Sequence, residues 1–281
     1  MSTNHATLFS KIIKGANKQK RAFPPEARTI VGTWKVEYAV RLRGASTNLH
    51  LKHVCVQTNH IGTCYYERDV PFDQEPKIDE NLIGRSVLSG AVLQRWLRIA
   101  ALDALYGNIV GPAVQDEVRS GTPDQRALDR ATFVCDEVRR IASTLGRSRK
   151  KLRIVNVGVV GDFLEQLVKE RSFAVEATDK YDALWGEKIH GVEIQEDSRT
   201  ERCVAEADIA LVTGMTLANG TIDGIFEAAR ENGTKLVLFA ETGSNFAEMY
   251  LDEGAASVIA ESYPFYLSGS DSYRLRSYSR E

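Results

Sequence analysis

The stretch Val157-Gly158-Val159-Val160-Gly161-Asp162 decides the fold. It follows a short apolar run, Leu152 to Val157, and opens a helix-like segment, Phe163 to Glu170. An apolar strand, a glycine turn and a helix in that order are the opening of a nucleotide-binding α/β unit. Downstream the alternation continues. Strands are expected at Leu152–Val157, Phe173–Ala177, Ile209–Thr213, Lys235–Ala240 and Ala256–Ile259, with helices at Asp162–Glu170, Thr221–Glu231 and Asn245–Asp252. The strands are short and apolar throughout, as strands covered on both faces are. Alternating strands and helices of this kind build a parallel sheet with right-handed crossovers.

Upstream the period changes to two. Trp34, Val36, Tyr38, Val40 and Leu42 share one face of a strand over Thr33–Leu42, while Lys35, Glu37, Ala39 and Arg41 share the other. This is a half-buried antiparallel strand. His50–Val56 and Ile61–Tyr66 read as its partners around a Thr58-Asn59 turn. A helical stripe follows within Ser86–Leu105, ending near Gly107. Thr122 before Pro123 marks the start of a long helix carrying Leu128, Ala131, Cys135, Val138, Ala142 and Leu145. Arg147 to Lys151 is a basic linker. The expected organisation is a basic segment at 1–28, an α+β domain at 29–121 and an α/β ligand-binding domain at 122–281. In the basic segment Leu8, Ile12 and Ile13 form a docking stripe beside six basic side chains.

Composition narrows the partners. The chain has 281 residues, 43% hydrophobic and 26% charged, and a net charge of −2. Such a balance gives no reason to expect nucleic acid or an anionic membrane as partner. No stretch approaches the roughly 18 apolar residues of a spanning helix, and no secretory signal is apparent at the N-terminus. Four scattered cysteines read as reduced thiols, so a cytoplasmic location is expected.

In an open parallel sheet, ligands bind outside the carboxyl ends of the strands. Four loops meet that edge. Gly158, Gly161 and Asp162 lie in the first, where a helix N-terminus offers amides to an anion. Asp179 ends the second strand, in place to accept ribose hydroxyls, and Tyr181 follows it. Thr213, Gly214, Thr216 and Asn219 lie in the third loop. Glu241 and Thr242 lie in the fourth. Gly158 and Gly161 make only G-x-x-G and not the full dinucleotide fingerprint. Tyr181, Glu241 and His190 are the acid–base candidates near the crevice, with Tyr181 and Glu241 preferred. His50, His53, Cys55, His60 and Cys64 crowd fifteen residues. Imidazole and thiolate are transition-metal ligands, and alternation puts His53 and Cys55 on one face, with His60 or Cys64 able to join from the partner strand. Without metal-binding spacing, core cysteines and surface histidines are the preferred reading, and a metal remains possible. The aromatic tail from Tyr263 through Tyr278 is expected to cover the pocket or to form an interface between copies, with a homodimer favoured.

The segment Ala207-Asp208-Ile209-Ala210-Leu211-Val212-Thr213-Gly214-Met215-Thr216-Leu217-Ala218-Asn219-Gly220-Thr221-Ile222-Asp223 resembles the signature of the Rossmann-like "putative heavy-metal chelation" family. The antiparallel strands with Leu82-Ile83-Gly84-Arg85 to Asn108 resemble the enolase-N-terminal-like domain that accompanies it. The resemblance implies a Rossmann-like, mainly parallel sheet of about five strands preceded by that smaller domain. Through fold similarity to nicotianamine synthase it also implies S-adenosylmethionine, or a related adenosyl or amino-acid ligand. Asp179 would then hold the ribose, and the Gly158–Asp162 turn and Thr213–Thr221 loop the amino-acid end. The expected activity is a transferase- or lyase-like reaction of the aminocarboxypropyl group. The alternatives are a metal-chelate carrier and a nicotinamide-dependent oxidoreductase.

Overall fold

The computed structural model describes residues 6–67, 70–71, 73–89, 93–146, 151–266 and 270–280. Strands β1 (Gly32–Arg41), β2 (Asn48–Gln57) and β3 (Ile61–Tyr66) form an antiparallel sheet in that order. Val54, Val56, Cys64 and Tyr66 on one face pack on helix α2 (Arg95–Tyr106), while α1 (Leu8–Lys18) buries Leu8, Ile12 and Ala16 beside it. Helix α2 begins later than its stripe predicts. Val87–Ser89 is a separate turn in which Ser89 N–H donates to the Ser86 carbonyl, and Ser86 bridges to Thr29. Val92, assigned to that stripe from sequence, and 147–150 of the basic linker lie outside the described residues.

The large sheet has nine strands. Its parallel centre comprises β5 (Leu152–Val157), β6 (Phe173–Asp179), β8 (Val192–Glu196), β9 (Ile209–Thr213), β10 (Lys235–Ala240) and β11 (Ser257–Glu261). Three antiparallel strands extend it: β4 (Gln115–Ser120) and β12 (Ser272–Ser279) at one edge and β7 (Lys188–Ile189) at the other. The sheet is therefore larger than the five strands expected. Strand β12 alternates, burying Tyr273 and Leu275, so the aromatic tail is built into the sheet. Strand β4, from before the long helix, pairs with β12 and so joins the large sheet.

The spatial order of the parallel strands is β11-β10-β9-β5-β6-β8. The chain enters at β5, builds outward through β6 and β8, then returns to the other side of β5 with β9. The reversal lies between β5 and β9, and a crevice opens outside the strand ends at such a point. Alternate side chains of the strands face two apolar layers. Ile154, Ile209, Leu211, Val237 and Phe239 pack under α3 (Pro123–Thr144) and α4 (Gly161–Lys169). Val155, Val157, Val212 and Leu238 pack under α5 (Thr200–Glu206), α7 (Ile222–Asn232) and α8 (Ala247–Glu253), while α6 (Met215–Asn219) continues the β9 loop. The Thr122 hydroxyl caps α3, accepting from Gln125 N–H at 3.3 Å. Its buried face includes Ala131, Cys135 and Val138 of the predicted stripe but not the stripe's two ends. Leu128 and Leu145 are exposed, whereas Arg126 and Arg130 are buried. No helix among the described residues is long and apolar enough to cross a membrane.

Candidate functional site

The two sheets are joined by a buried carboxylate. Asp103 of α2 accepts from Thr63 N–H at 2.9 Å and from Asn245 N–H at 2.8 Å, tying β3 to the loop after β10. Thr63 Oγ1 also donates to the Glu241 carbonyl, and the Thr242 hydroxyl accepts from Tyr65 N–H at 2.9 Å. Burial pushes the Asp103 carboxyl up to about 7. Beside this joint, between the outer face of the small sheet and the carboxyl edge of the large one, lies a cavity of about 790 Å³. That is within the range of small-molecule sites. It opens over β5 and β9, where the strand order reverses.

One end of the cavity is the polar rim. Gly158 adopts φ +80°, and a Cβ there would collide with the Thr213 hydroxyl of the next strand. Thr213 Oγ1 is buried without a partner in the cavity wall. Asp179 accepts from Val159 N–H at 2.6 Å and from Tyr181 N–H at 2.7 Å. Its carboxylate thus ties the glycine turn to the loop after β6. Burial raises its pKa, opposed by those amide hydrogen bonds. Arg43 stands beside the α4 N-terminus. A Cβ on Gly161 would stand 2.5 Å from the Arg43 carbonyl oxygen, and the Arg43 side chain pairs with Asp162 at 3.0 Å.

The other end is walled by aromatic rings around a buried charge cluster. Arg130 of α3 is 4% exposed, donates to Glu241 at 2.9 Å and to Glu261 at 3.4 Å, and stacks 3.7 Å above the Tyr266 ring. Glu261, fully buried, also accepts from Tyr266 N–H at 2.6 Å. Two carboxylates share one guanidinium. Burial, and then repulsion from Glu261, push Glu241 up to about 7. Beside them His53 is 1% exposed among Tyr38, Tyr65 and Phe265, with ring centroids 6.2, 6.0 and 5.1 Å away. Neither of its ring nitrogens has a hydrogen-bond partner. Burial lowers its pKa to about 4, so the ring is neutral near pH 7.

Of the residues proposed from sequence, Gly158, Asp162, Asp179, Tyr181, Thr213, Gly214, Thr216, Asn219, Glu241 and Thr242 line the cavity, while Gly161 and His190 stand outside its wall. Several are also committed to the fold: Thr216 Oγ1 donates to the Thr213 carbonyl, and Asn219 Oδ1 accepts from Thr221. His190 faces the Arg43 carbonyl at 3.0 Å. His53 and Cys55 share the face that the two-residue period predicts. However, His53 is buried and not a surface residue, because that face is covered by the large sheet's loops. Cys64 packs on the opposite face in the α2 core, and His60 lies in the β2–β3 turn against Gly107. Among the described residues no three His, Cys, Asp or Glu side chains are grouped to hold a metal ion. Phe265 and Tyr266 of the aromatic tail line the cavity, one of the two expectations for that tail. Sequence reasoning passed over Tyr38, Arg130 and Glu261 as site residues. The four-residue spacing of Arg126 and Arg130, on one face of a helix with Val134 and Val138, was the available sign of buried cations.

Comparisons with known proteins agree on the fold. The chain is similar to a protein of unknown function of the DUF364 family from Pyrococcus horikoshii, with a TM-score of 0.58 and 14% identity over 98% of this chain and 100% of that one. It is also similar to a DUF364-family protein of unknown function from Desulfitobacterium hafniense, with a TM-score of 0.53 and 14% identity over 96% of each. The search of curated proteins found no match. Residues 145–262, which hold all six parallel strands and their rim loops, match the model of the DUF364 family, described as "putative heavy-metal chelation".

Proposed function

We propose that the protein is a small-molecule enzyme that binds S-adenosylmethionine or a related adenosyl or amino-acid ligand in this cavity and transfers or cyclises its aminocarboxypropyl group. The observation that carries the reading is the cavity's place. It opens at the strand-order reversal of a large, mostly parallel sheet, between Gly158, Asp179 and Thr213. In this reading Asp179 accepts the ribose hydroxyls with the lone pairs its two amides leave free. The unpartnered Thr213 hydroxyl meets the amino-acid end, and Glu241 and Tyr181 serve as acid–base groups. The small sheet and α2 act as an enolase-N-terminal-like lid over the ligand. The G-x-x-G of Gly158 and Gly161, short of the full dinucleotide fingerprint, favours such a ligand over a nicotinamide dinucleotide. We place the protein in the cytoplasm as a homodimer; exposed Val118 on the edge strand β4 supports association.

The second reading, a metal-chelate carrier, draws on the description of the matched family. Calorimetry and thermal shifts with S-adenosylmethionine, NAD, NADP, zinc and nickel separate these readings. A ligand at a hundredfold excess over its Kd stabilises the fold by about 2.7 kcal/mol. Stabilisation by S-adenosylmethionine, weakened about tenfold or more in Asp179→Ala, is the expected result. A response to zinc or nickel alone would replace the enzyme reading with the carrier.

A further inference from the structure

Of the charge cluster at the aromatic end, Glu241 and Arg130 line the cavity. Glu261, fully buried, is met by Arg130 and by the charge of buried Arg126, while Glu241 meets Arg130 at 2.9 Å. The groups facing Glu241 come from several elements. Tyr38 comes from β1, His53 from β2, Tyr65 from β3, Asp162 from α4 and Tyr266 from the segment after β11, with Asp162 already paired to Arg43. The Glu241 carboxylate, 15% exposed in the cavity wall, is open to a proton or to something that enters the cavity. The walls there are the rings of Tyr38, Tyr65 and Phe265, whose negative faces attract cations. A second and independent observation is His53. It is a neutral imidazole, 1% exposed, in the same wall and with no partner for either nitrogen. Buried polar groups in folded proteins are nearly always paired.

We propose that the aromatic end of the cavity is a second ligand subsite, built for an organic ammonium ion that Glu241 binds through its carboxylate and His53 through a ring nitrogen. The ammonium N–H groups donate to both, and its carbon skeleton lies against the rings. The adenosyl end and the ammonium end are separate parts of one cavity, so this inference rests on the cavity being a ligand site and not on which nucleoside occupies the rim.

The experiment is titration calorimetry of the full chain with benzylamine, benzyl alcohol and benzoate from pH 6 to pH 8, without any adenosyl compound. Benzylamine stays protonated across this range, while Glu241 gives up its proton. Benzylamine affinity is therefore expected to rise about tenfold over those two pH units, with proton release seen as a buffer-dependent heat. Glu241→Gln should abolish the pH dependence. His53→Phe, which keeps a flat ring, should weaken binding at every pH while leaving the slope in place. Melting curves establish that each variant is folded. Benzyl alcohol or benzoate binding as well as benzylamine, or a slope that survives Glu241→Gln, overturns the proposal. A silent S-adenosylmethionine titration beside a positive benzylamine one would sink the adenosyl reading and leave this one standing.

Discussion

Glu241→Gln offers a sharp test of how the site is held. In the folded protein the Glu241 carboxyl sits at about 7, against an ordinary 4.5, because burial and Glu261 disfavour its charge. The side chain is 15% exposed, so solvent screening weakens this little. A carboxyl whose pKa is raised by folding binds its proton more tightly in the native state than in the unfolded chain. Its contribution is thus present in full below the unfolded value and is lost as pH rises through the folded one. At about 1.4 kcal/mol per unit, the loss between pH 4.5 and 8 is about 3 kcal/mol. Glutamine cannot ionise and keeps an oxygen for Arg130, so the variant escapes that loss. Urea unfolding followed by tryptophan fluorescence, at half-unit steps of pH, gives both stability curves. The difference, variant minus parent, should climb by about 3 kcal/mol across the window and level off above pH 8. Parallel curves would mean that Glu241 carries an ordinary charge and that the cluster is not strained as described.

Two further outcomes follow from the joint and the rim. Asp103→Ala leaves the Thr63 and Asn245 amides buried without an acceptor. It should cost about 2–6 kcal/mol at 1–3 per orphaned group, measured by urea unfolding at pH 7; a loss under 1 kcal/mol would show that the joint is wet or dispensable. Gly158→Ala forces a left-handed backbone on alanine against the Thr213 hydroxyl. It should lower stability by about 1–3 kcal/mol in the same assay and weaken whatever ligand the rim binds; parent-like behaviour in both would free Gly158 from its assigned role.

Much of the large sheet could be read from the chain in order. Leu152–Val157, Ile209–Thr213 and Lys235–Ala240 appear as strands at the predicted residues because both of their faces are covered. A run apolar on both faces has little other use. The edge strands were not legible for the opposite reason. Gln115–Ser120 is polar and half solvated, and Ser272–Ser279 mixes serines and arginines with its buried Tyr273 and Leu275. The long helix is legible from its cap and proline, and Ala131, Cys135 and Val138 face inward as predicted, but its buried arginines are not. A buried arginine looks like surface until the carboxylates that hold it, Glu241 and Glu261, arrive from strands more than a hundred residues away.

The candidate site divides along the same line. Its rim belongs to loops that follow strands, so the order of strands and helices already put Gly158, Asp179, Thr213 and Glu241 at one edge. Local hydrogen bonding and glycine geometry act over a few residues, and the chain's own pattern carries that information. The opposite wall depends on how two sheets face each other. Asp103, Thr63 and Asn245 set that packing through bonds between residues 40 and 142 positions apart. Only when they close do His53 and Tyr38 turn from strand residues into the lining of a pocket, and only then do two glutamates find themselves sharing one arginine.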